Sequence, residues 1–273
     1  MVGAAGWKRR PGQGKEARPQ VRRKHGVSYV RPEGVAVSRS FSVRTESLNL
    51  RIETVPPSGA FDPGDLPLGE RARLQTFASP ERRRQFALGR LAVRRLVAEV
   101  EGLAPASVAL AIDAGGAPRV PSGYVSIAHG GRGFDAIGLA AYARRPVGVD
   151  AESIRPRHPG LAARILHDDE ADLVRQLGAG PDAALTLAWA LKEAVLKGQG
   201  TGLRAGARSV RIEDVDPARG RARLSSDASG GWRLSFERRG DLWLAVALAE
   251  SAPEEPRDGE RSVGSRAWAT AGR

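Results

Sequence analysis

The chain has 273 residues, 41% hydrophobic and none of them cysteine, enough for one large domain or two small ones with a proper core. No apolar run reaches the roughly eighteen residues of a membrane helix, and the N-terminus lacks the apolar segment of a secretory signal. A cytoplasmic protein is therefore expected, without disulfides, cysteine nucleophiles or cysteine-held zinc. The formal charge of +12 raises nucleic acid as a partner, yet residues 1–45 alone hold 11 Lys/Arg against two acids, while 46–250 hold 28 against 25.

Residues 1–45, with "GWKRRPGQGKEARPQVRRKHG", mix Pro, Gly and Arg without apolar periodicity and read as a disordered basic tail. It is a solvated extension, an upstream start site, or a sequence-independent phosphate-binding arm. "SLNLRIETV" predicts a strand, followed by a Pro/Gly/Asp-rich loop to about residue 69. From Glu70 to Glu99 apolar residues recur at three- and four-residue steps, broken by "SP" at 79–80, which predicts two helices. "SVALAID" and "YVSIAHG" are strand-like, and "AIGLAAYA" and "VGVDAESI" flank "RRP" as the arms of a hairpin would. Helices are expected over Leu161–Leu177 and Pro181–Lys197, then four strands over "SVRIEDVD", "GRARLSSD", "WRLSFERRG" and "LWLAVALAE". Residues 251–273 form a second loose end. The order helix, strands, hairpin recurs loosely on both sides of residue 145, so two similar α+β lobes are expected over 46–145 and 146–250, with the chemistry where they meet.

Three segments carry residues suited to chemistry. In "VGVDAESI", Asp150 and Glu152 are two apart on a strand and point to one face. They are either two unrelated charges at a strand end or a pair held by a hard divalent cation. In "WALKEAVLK", Trp189, Glu193 and Lys197 are successive fourth residues and share one helical stripe on an otherwise apolar helix. Only five of the 43 basic residues are lysine, and two of those five stand here. A compact ammonium on a flexible stem is wanted, not a planar fork. In "VSIAHGG", His129 precedes two glycines in a place where backbone can approach a ligand, although a histidine there is more commonly a structural hydrogen bonder.

Together "VGVDAE" and "WALKEAVLK", whose Glu193 stands 43 residues after Asp150, resemble the 4'-phosphopantetheinyl transferases, in particular their two-lobed, monomeric kind. "SIAHGG" and "RRRQFALGRLAVRRL" support the resemblance, which covers about residues 48–250. It implies an α+β fold of two similar lobes with the active site between them. It also implies a reaction: coenzyme A gives its phosphopantetheine arm to a serine of an acyl or peptidyl carrier protein, releasing 3',5'-ADP. By the same resemblance Asp150, Glu152 and Glu193 hold Mg²⁺, Lys197 and Lys192 reach the phosphates, Glu193 accepts the serine proton, and His129 binds the 3'-phosphate of coenzyme A. Trp189 is expected to pack.

The nucleotide end departs from the family pattern. Gln85 stands where an arginine is usual, Ala117 replaces a phosphate lysine with Arg119 two residues on, and Ala128 replaces a serine. Arg71 and Arg73 are positioned to compensate. Carrier domains are generally acidic around the acceptor serine, so arginines of the weakly basic core suit docking. Two other classes remain open on the residues: a metal-dependent phosphoesterase or nuclease, and a non-catalytic binder of coenzyme A or carrier protein.

Overall fold

Leu48, Leu50 and Ile52 alternate with Asn49, Arg51 and Glu53 in β1 (Leu48–Thr54), the period-two pattern of a strand with one apolar face. This computed structural model describes residues 48–54, 63–158, 160–176, 180–225 and 231–251; the expected tails, save residue 251, lie outside them. β1 pairs antiparallel with β5 (Ile137–Ala143), which pairs with β4 (Tyr124–Gly130) in a three-stranded sheet. α1 (Leu68–Thr76) and α2 (Pro80–Glu101) are separated at the "SP" break. There Ser79 Oγ accepts from the Arg82 N–H and Pro80 takes the first helical turn, while Gly102 closes the far end at φ 69°.

The second sheet is antiparallel throughout, in the order β6 (Val147–Ser153), β10 (Leu242–Ala249), β9 (Trp232–Arg239), β8 (Arg221–Leu224), β7 (Ile212–Asp216). α5 (Pro181–Gln199) packs on β6 and β10. The architecture is α+β, with one long helix on each antiparallel sheet. Leu139, Val149, Leu244 and Val246, all fully buried, belong to one core between the two sheets. α2 and α5 each cover a separate core on the outer faces.

Three expectations need correction. β5 and β6 are not a hairpin: β5 pairs only within the first sheet and β6 with β10 of the second. Both strands are buried on both faces, so each is covered by its own helix outside and the other sheet inside. The helix expected over Leu161–Leu177 is two, α3 (Leu161–Ile165) and α4 (Asp168–Gln176). Glu170 restarts it by accepting from the His167 N–H at 2.7 Å. "SVALAID" yields only β2 (Ala111–Ile112), paired with β3 (Pro118–Arg119), because Pro105–Ser107 forms a 3₁₀ turn.

Two glycines let the helices approach the strands. A Cβ on Gly138 of β5 would collide with the Leu88 backbone of α2. One on Gly148 of β6 would strike the Ala194 carbonyl and lie 2.5 Å from Gly198 N of α5. The lobes then meet edge to edge along β4 and β6, where Ser126 Oγ accepts from the Val149 N–H at 3.0 Å.

Gly148→Ala is therefore expected to destabilise the protein by about 2 kcal/mol or more, since backbone cannot yield as a side chain can. Urea denaturation measures this, with Gly69→Ala in α1, which meets nothing within 4 Å, as a control that should be neutral or mildly stabilising.

Candidate active site

α5 is built to be buried. Leu187, Leu191, Ala194 and Val195 face the core, and Gly200 in the left-handed conformation ends the helix with its N–H on Lys197 O. The i, i+4 stripe of Trp189, Glu193 and Lys197 turns instead toward β6. Lys197 Nζ donates to Asp150 Oδ1 at 2.7 Å, across 47 residues of chain. Glu152, two residues along the strand, accepts from Arg157 Nη2 at 2.7 Å and from Trp189 Nε1 at 3.1 Å. Trp189 thus both packs against the helix core, as expected, and orients a carboxylate.

The charges do not balance. Asp150 Oδ2 and Glu193 Oε1 are buried and accept no hydrogen bond among the described residues. Burial pushes the Glu193 carboxyl up to about 7, the Asp150 and Glu152 charges push the same way, and Lys197 only partly offsets them. Asp150 is raised too, by its own burial first and by Glu152, against the pull of Lys197. Two orphaned carboxylate oxygens in one field make a donor set that fits a hard divalent cation. Among the described residues no three His, Cys, Asp or Glu side chains converge as a finished cage. Glu152 is drawn aside by Arg157 and Trp189.

Beside this centre lies a cavity of about 340 Å³ between α1, α2, β3 and β4, lined by Arg73, Arg82, Gln85, Arg90 and His129 among others. No carboxylate lines it. Arg90 Nη1 is buried without a hydrogen-bond partner among the described residues. Burial holds the Arg90 pKa below its usual value, and Arg94 and Arg73 reinforce this against the opposing pull of Glu70. The His129 pKa is lowered by the protein around it, then by Lys197 and Arg82, although the residue as a whole stays exposed. Cations that repel one another around an open space form an anion site. Arg90 also lies over Phe86, 5.1 Å from the ring centroid, and Phe86 packs on Phe77 at 5.2 Å.

Asp150, Glu193 and Lys197 meet directly, with Glu152 in the same field, and Arg73, Gln85 and His129 share the neighbouring cavity. Three expected residues do not fit. Lys192 cannot reach a phosphate there: it is fully buried elsewhere on α5, where Nζ donates to Glu170 at 2.8 Å and to Val210 O at 2.5 Å. Glu170 also accepts from the Ile212 and His167 N–H groups, so this pair ties α4 and β7 to α5. Ala128 turns its side chain into the core between the sheets, because strand alternation sends it to the opposite side from His129. Arg71 is absent from the cavity lining and keeps a buried Nε without a partner among the described residues. Arg119 is bound to Asp113 at 2.8 Å. Sequence reasoning missed Arg82, Arg90 and Arg157. The i, i+4 rule applied to α5 would have found the first two on α2, because Arg82, Phe86 and Arg90 are successive fourth residues.

Comparison with known proteins follows the same two halves. Residues 146–247 match the 4'-phosphopantetheinyl transferase superfamily, and residues 70–137 match the 4'-phosphopantetheinyl transferase N-terminal domain. The chain is 28% identical over 188 residues to 4'-phosphopantetheinyl transferase psf-1 of Bacillus pumilus, covering 67% of this chain and 72% of that one. It is 26% identical over 212 residues to 4'-phosphopantetheinyl transferase ffp of Bacillus subtilis, covering 71% and 92%. A solved holo-[acyl-carrier-protein] synthase from Thermotoga maritima aligns with 39% of this chain and 64% of its own, at 23% identity and a TM-score of 0.33. No helix of the described residues is long and apolar enough to cross a membrane. With both its N-terminal and its C-terminal halves matched, the chain belongs to the 4'-phosphopantetheinyl transferase superfamily, among the enzymes that carry the additional N-terminal domain.

Proposed function

We propose that the protein transfers the 4'-phosphopantetheine arm of coenzyme A to a serine of an acyl or peptidyl carrier protein, as a Mg²⁺-dependent cytoplasmic monomer. Its lobes, 46–145 and 146–250, would each supply one side of the site. The observation that carries this is the pair of orphaned oxygens, Asp150 Oδ2 and Glu193 Oε1, beside Lys197 and next to a cavity of cations.

Asp150, Glu193 and, once released from Arg157, Glu152 would hold the ion. When bound, Mg²⁺ supplies positive charge to the pyrophosphate oxygens. His129, Arg73, Arg82 and Arg90 would bind the 3'-phosphate end, with Gln85 as a neutral hydrogen-bonding neighbour. Phe77 and Phe86 offer apolar surface beside it. Glu193, whose carboxyl titrates near neutrality in the protein alone, takes the proton of the serine hydroxyl. The serine oxygen then attacks the phosphorus bearing the pantetheine arm. The bond from that phosphorus to the bridging oxygen breaks, and 3',5'-ADP leaves with that oxygen. Lys197 carries a mobile ammonium to the charge that develops there.

Intact-mass analysis of an apo carrier domain incubated with coenzyme A, Mg²⁺ and this protein should show the gain of one phosphopantetheine. Chelator should abolish it, and Glu193→Ala should reduce it by at least about a thousandfold. Cleavage of phosphate esters or nucleic acid without any acceptor would favour the hydrolase reading instead.

The Glu193 pKa also fixes a sign. Between its ordinary 4.5 and about 7, the folded protein holds a proton that the unfolded chain has released. Metal-free stability should therefore fall as pH rises through this window, and Glu193→Gln should flatten that slope in urea titrations. Added Mg²⁺ should raise the melting temperature more at pH 8 than at pH 5, because protons compete with the ion.

Arg82→Ala with Arg90→Ala should raise KM for coenzyme A about tenfold or more while changing kcat little. The same pair should leave KM for 3'-dephospho-coenzyme A nearly unchanged.

A further inference from the structure

Glu152 is gripped from two sides, unlike the carboxylates beside it. Trp189 Nε1 donates to its Oε1 at 3.1 Å and Arg157 Nη2 to its Oε2 at 2.7 Å, whereas Asp150 Oδ2 and Glu193 Oε1 accept nothing among the described residues. Arg157 stands five residues beyond Glu152, after β6 has ended at Ser153, so its side chain must turn back to reach the strand. The guanidinium side chain is only 10% exposed there. Holding so long a side chain in one place costs rotamer entropy, and attraction to the ionised Glu152 in a partly buried setting offsets it.

Arg157 also has partners of another kind. Nη2 donates to Ser153 O at 2.9 Å, and Nε donates to Thr186 Oγ1 at 3.4 Å. Thr186 belongs to α5, three residues before Trp189 and seven before Glu193, so Arg157 rests on the helix face that carries them. These acceptors matter when Glu152 is drawn away. A buried charge stripped of every partner is strongly destabilising, but Arg157 would keep a carbonyl and a hydroxyl. It can release the carboxylate without being stranded.

Charge decides what this means for an ion. With the three carboxylates ionised, Lys197 and Arg157 leave the centre one negative charge in excess. Without Arg157 the excess would be two, which a single divalent cation neutralises. We infer that Arg157 is a resident competitor for the divalent cation: it occupies Glu152 in the metal-free protein, yields that carboxylate on metal binding, and so sets how tightly the metal is held. The inference rests on the Mg²⁺-dependent transferase proposed above and assigns a control on its metal site. Arg157 acts through Glu152 and is a positioning residue. The arrangement keeps Glu152 ionised and in place while no metal is bound, at the expense of metal affinity.

The test replaces Arg157 with Met, which keeps the packing of the stem and removes the charge, and with Lys, which keeps a charge and loses the fork. Mn²⁺ binding is followed at pH 8 by loss of the paramagnetic resonance signal of the free ion, and Mg²⁺ binding by calorimetry, each without and with coenzyme A. Arg157→Met should bind both ions about fivefold more tightly than wild type or better, with Arg157→Lys in between. Metal-free Arg157→Met should melt below wild type, because Glu152 has lost its counter-ion, and saturating Mg²⁺ should remove most of that difference. A strut that only fastened the segment after β6 to α5 would lower the melting temperature in the same way but leave metal affinity unchanged or weaker. That result overturns the competition and leaves the transferase reading standing. Should Arg157→Met fail to fold, the sign of the affinity change in Arg157→Lys decides. No saturable binding of either ion to wild type, with or without coenzyme A, removes the Mg²⁺ reading and this inference together.

Discussion

Asp150 and Glu193, with Glu152 close enough to act on both, share the field of a single ammonium in a place where water reaches only in part, and that imbalance of charge governs the site. Asp150 has spent one oxygen on Lys197 and Glu152 has spent both on Arg157 and Trp189, so Asp150 Oδ2 and Glu193 Oε1 are left without partners. A fold selected for stability alone would not keep them. The cost is sustained by the packing around it: α5 contributes a buried apolar face, and Gly148 lets the helix lie close enough to β6 for the two rows of charge to face each other.

The same helix shows how one residue type serves two ends. Lys197 is half-buried and reaches toward the carboxylates, whereas Lys192 is fully buried and saturated by Glu170 and Val210. A tetrahedral ammonium can satisfy three acceptors within a small space, which a planar guanidinium cannot. The chain's preference for lysine at both positions thus has one chemical cause and two structural consequences. One lysine sets where the helix sits, and the other faces the open site. Burial lowers the Lys192 pKa, and Glu170 opposes that shift.

On the other lobe, positive charge is in excess. Arg73, Arg82, Arg90 and His129 surround a cavity with no carboxylate in its lining, and Lys197 lies close enough to perturb His129. An anionic ligand that spans from those cations to the carboxylate centre, with a cation between, would relieve both excesses at once. The edge-to-edge meeting of β4 and β6 makes that span short, because His129 and Glu152 stand near the ends of adjacent strands.

Periodicity alone disclosed the two helices around the "SP" break, the strands over "YVSIAHG", "AIGLAAYA" and "VGVDAESI", and the i, i+4 stripe of Trp189, Glu193 and Lys197. These follow from spacing along one element, where geometry is fixed by 3.6 or 2 residues per turn. Sequence did not disclose which strands pair. β5 and β6 read as a hairpin because a short turn joins them, but β5 pairs with β4 just before it and with the distant β1, and β6 pairs with the distant β10. Nor did it disclose which face of α5 Lys192 takes, since an apolar helix has no polar side to orient it. The same holds for Arg82, Arg90 and Arg157, whose chemistry depends on partners far away along the chain. What the sequence determined was local: element type, and which residues share a face. What only tertiary structure decided was which faces meet, because burial energy is gained between elements and is indifferent to their separation in the chain.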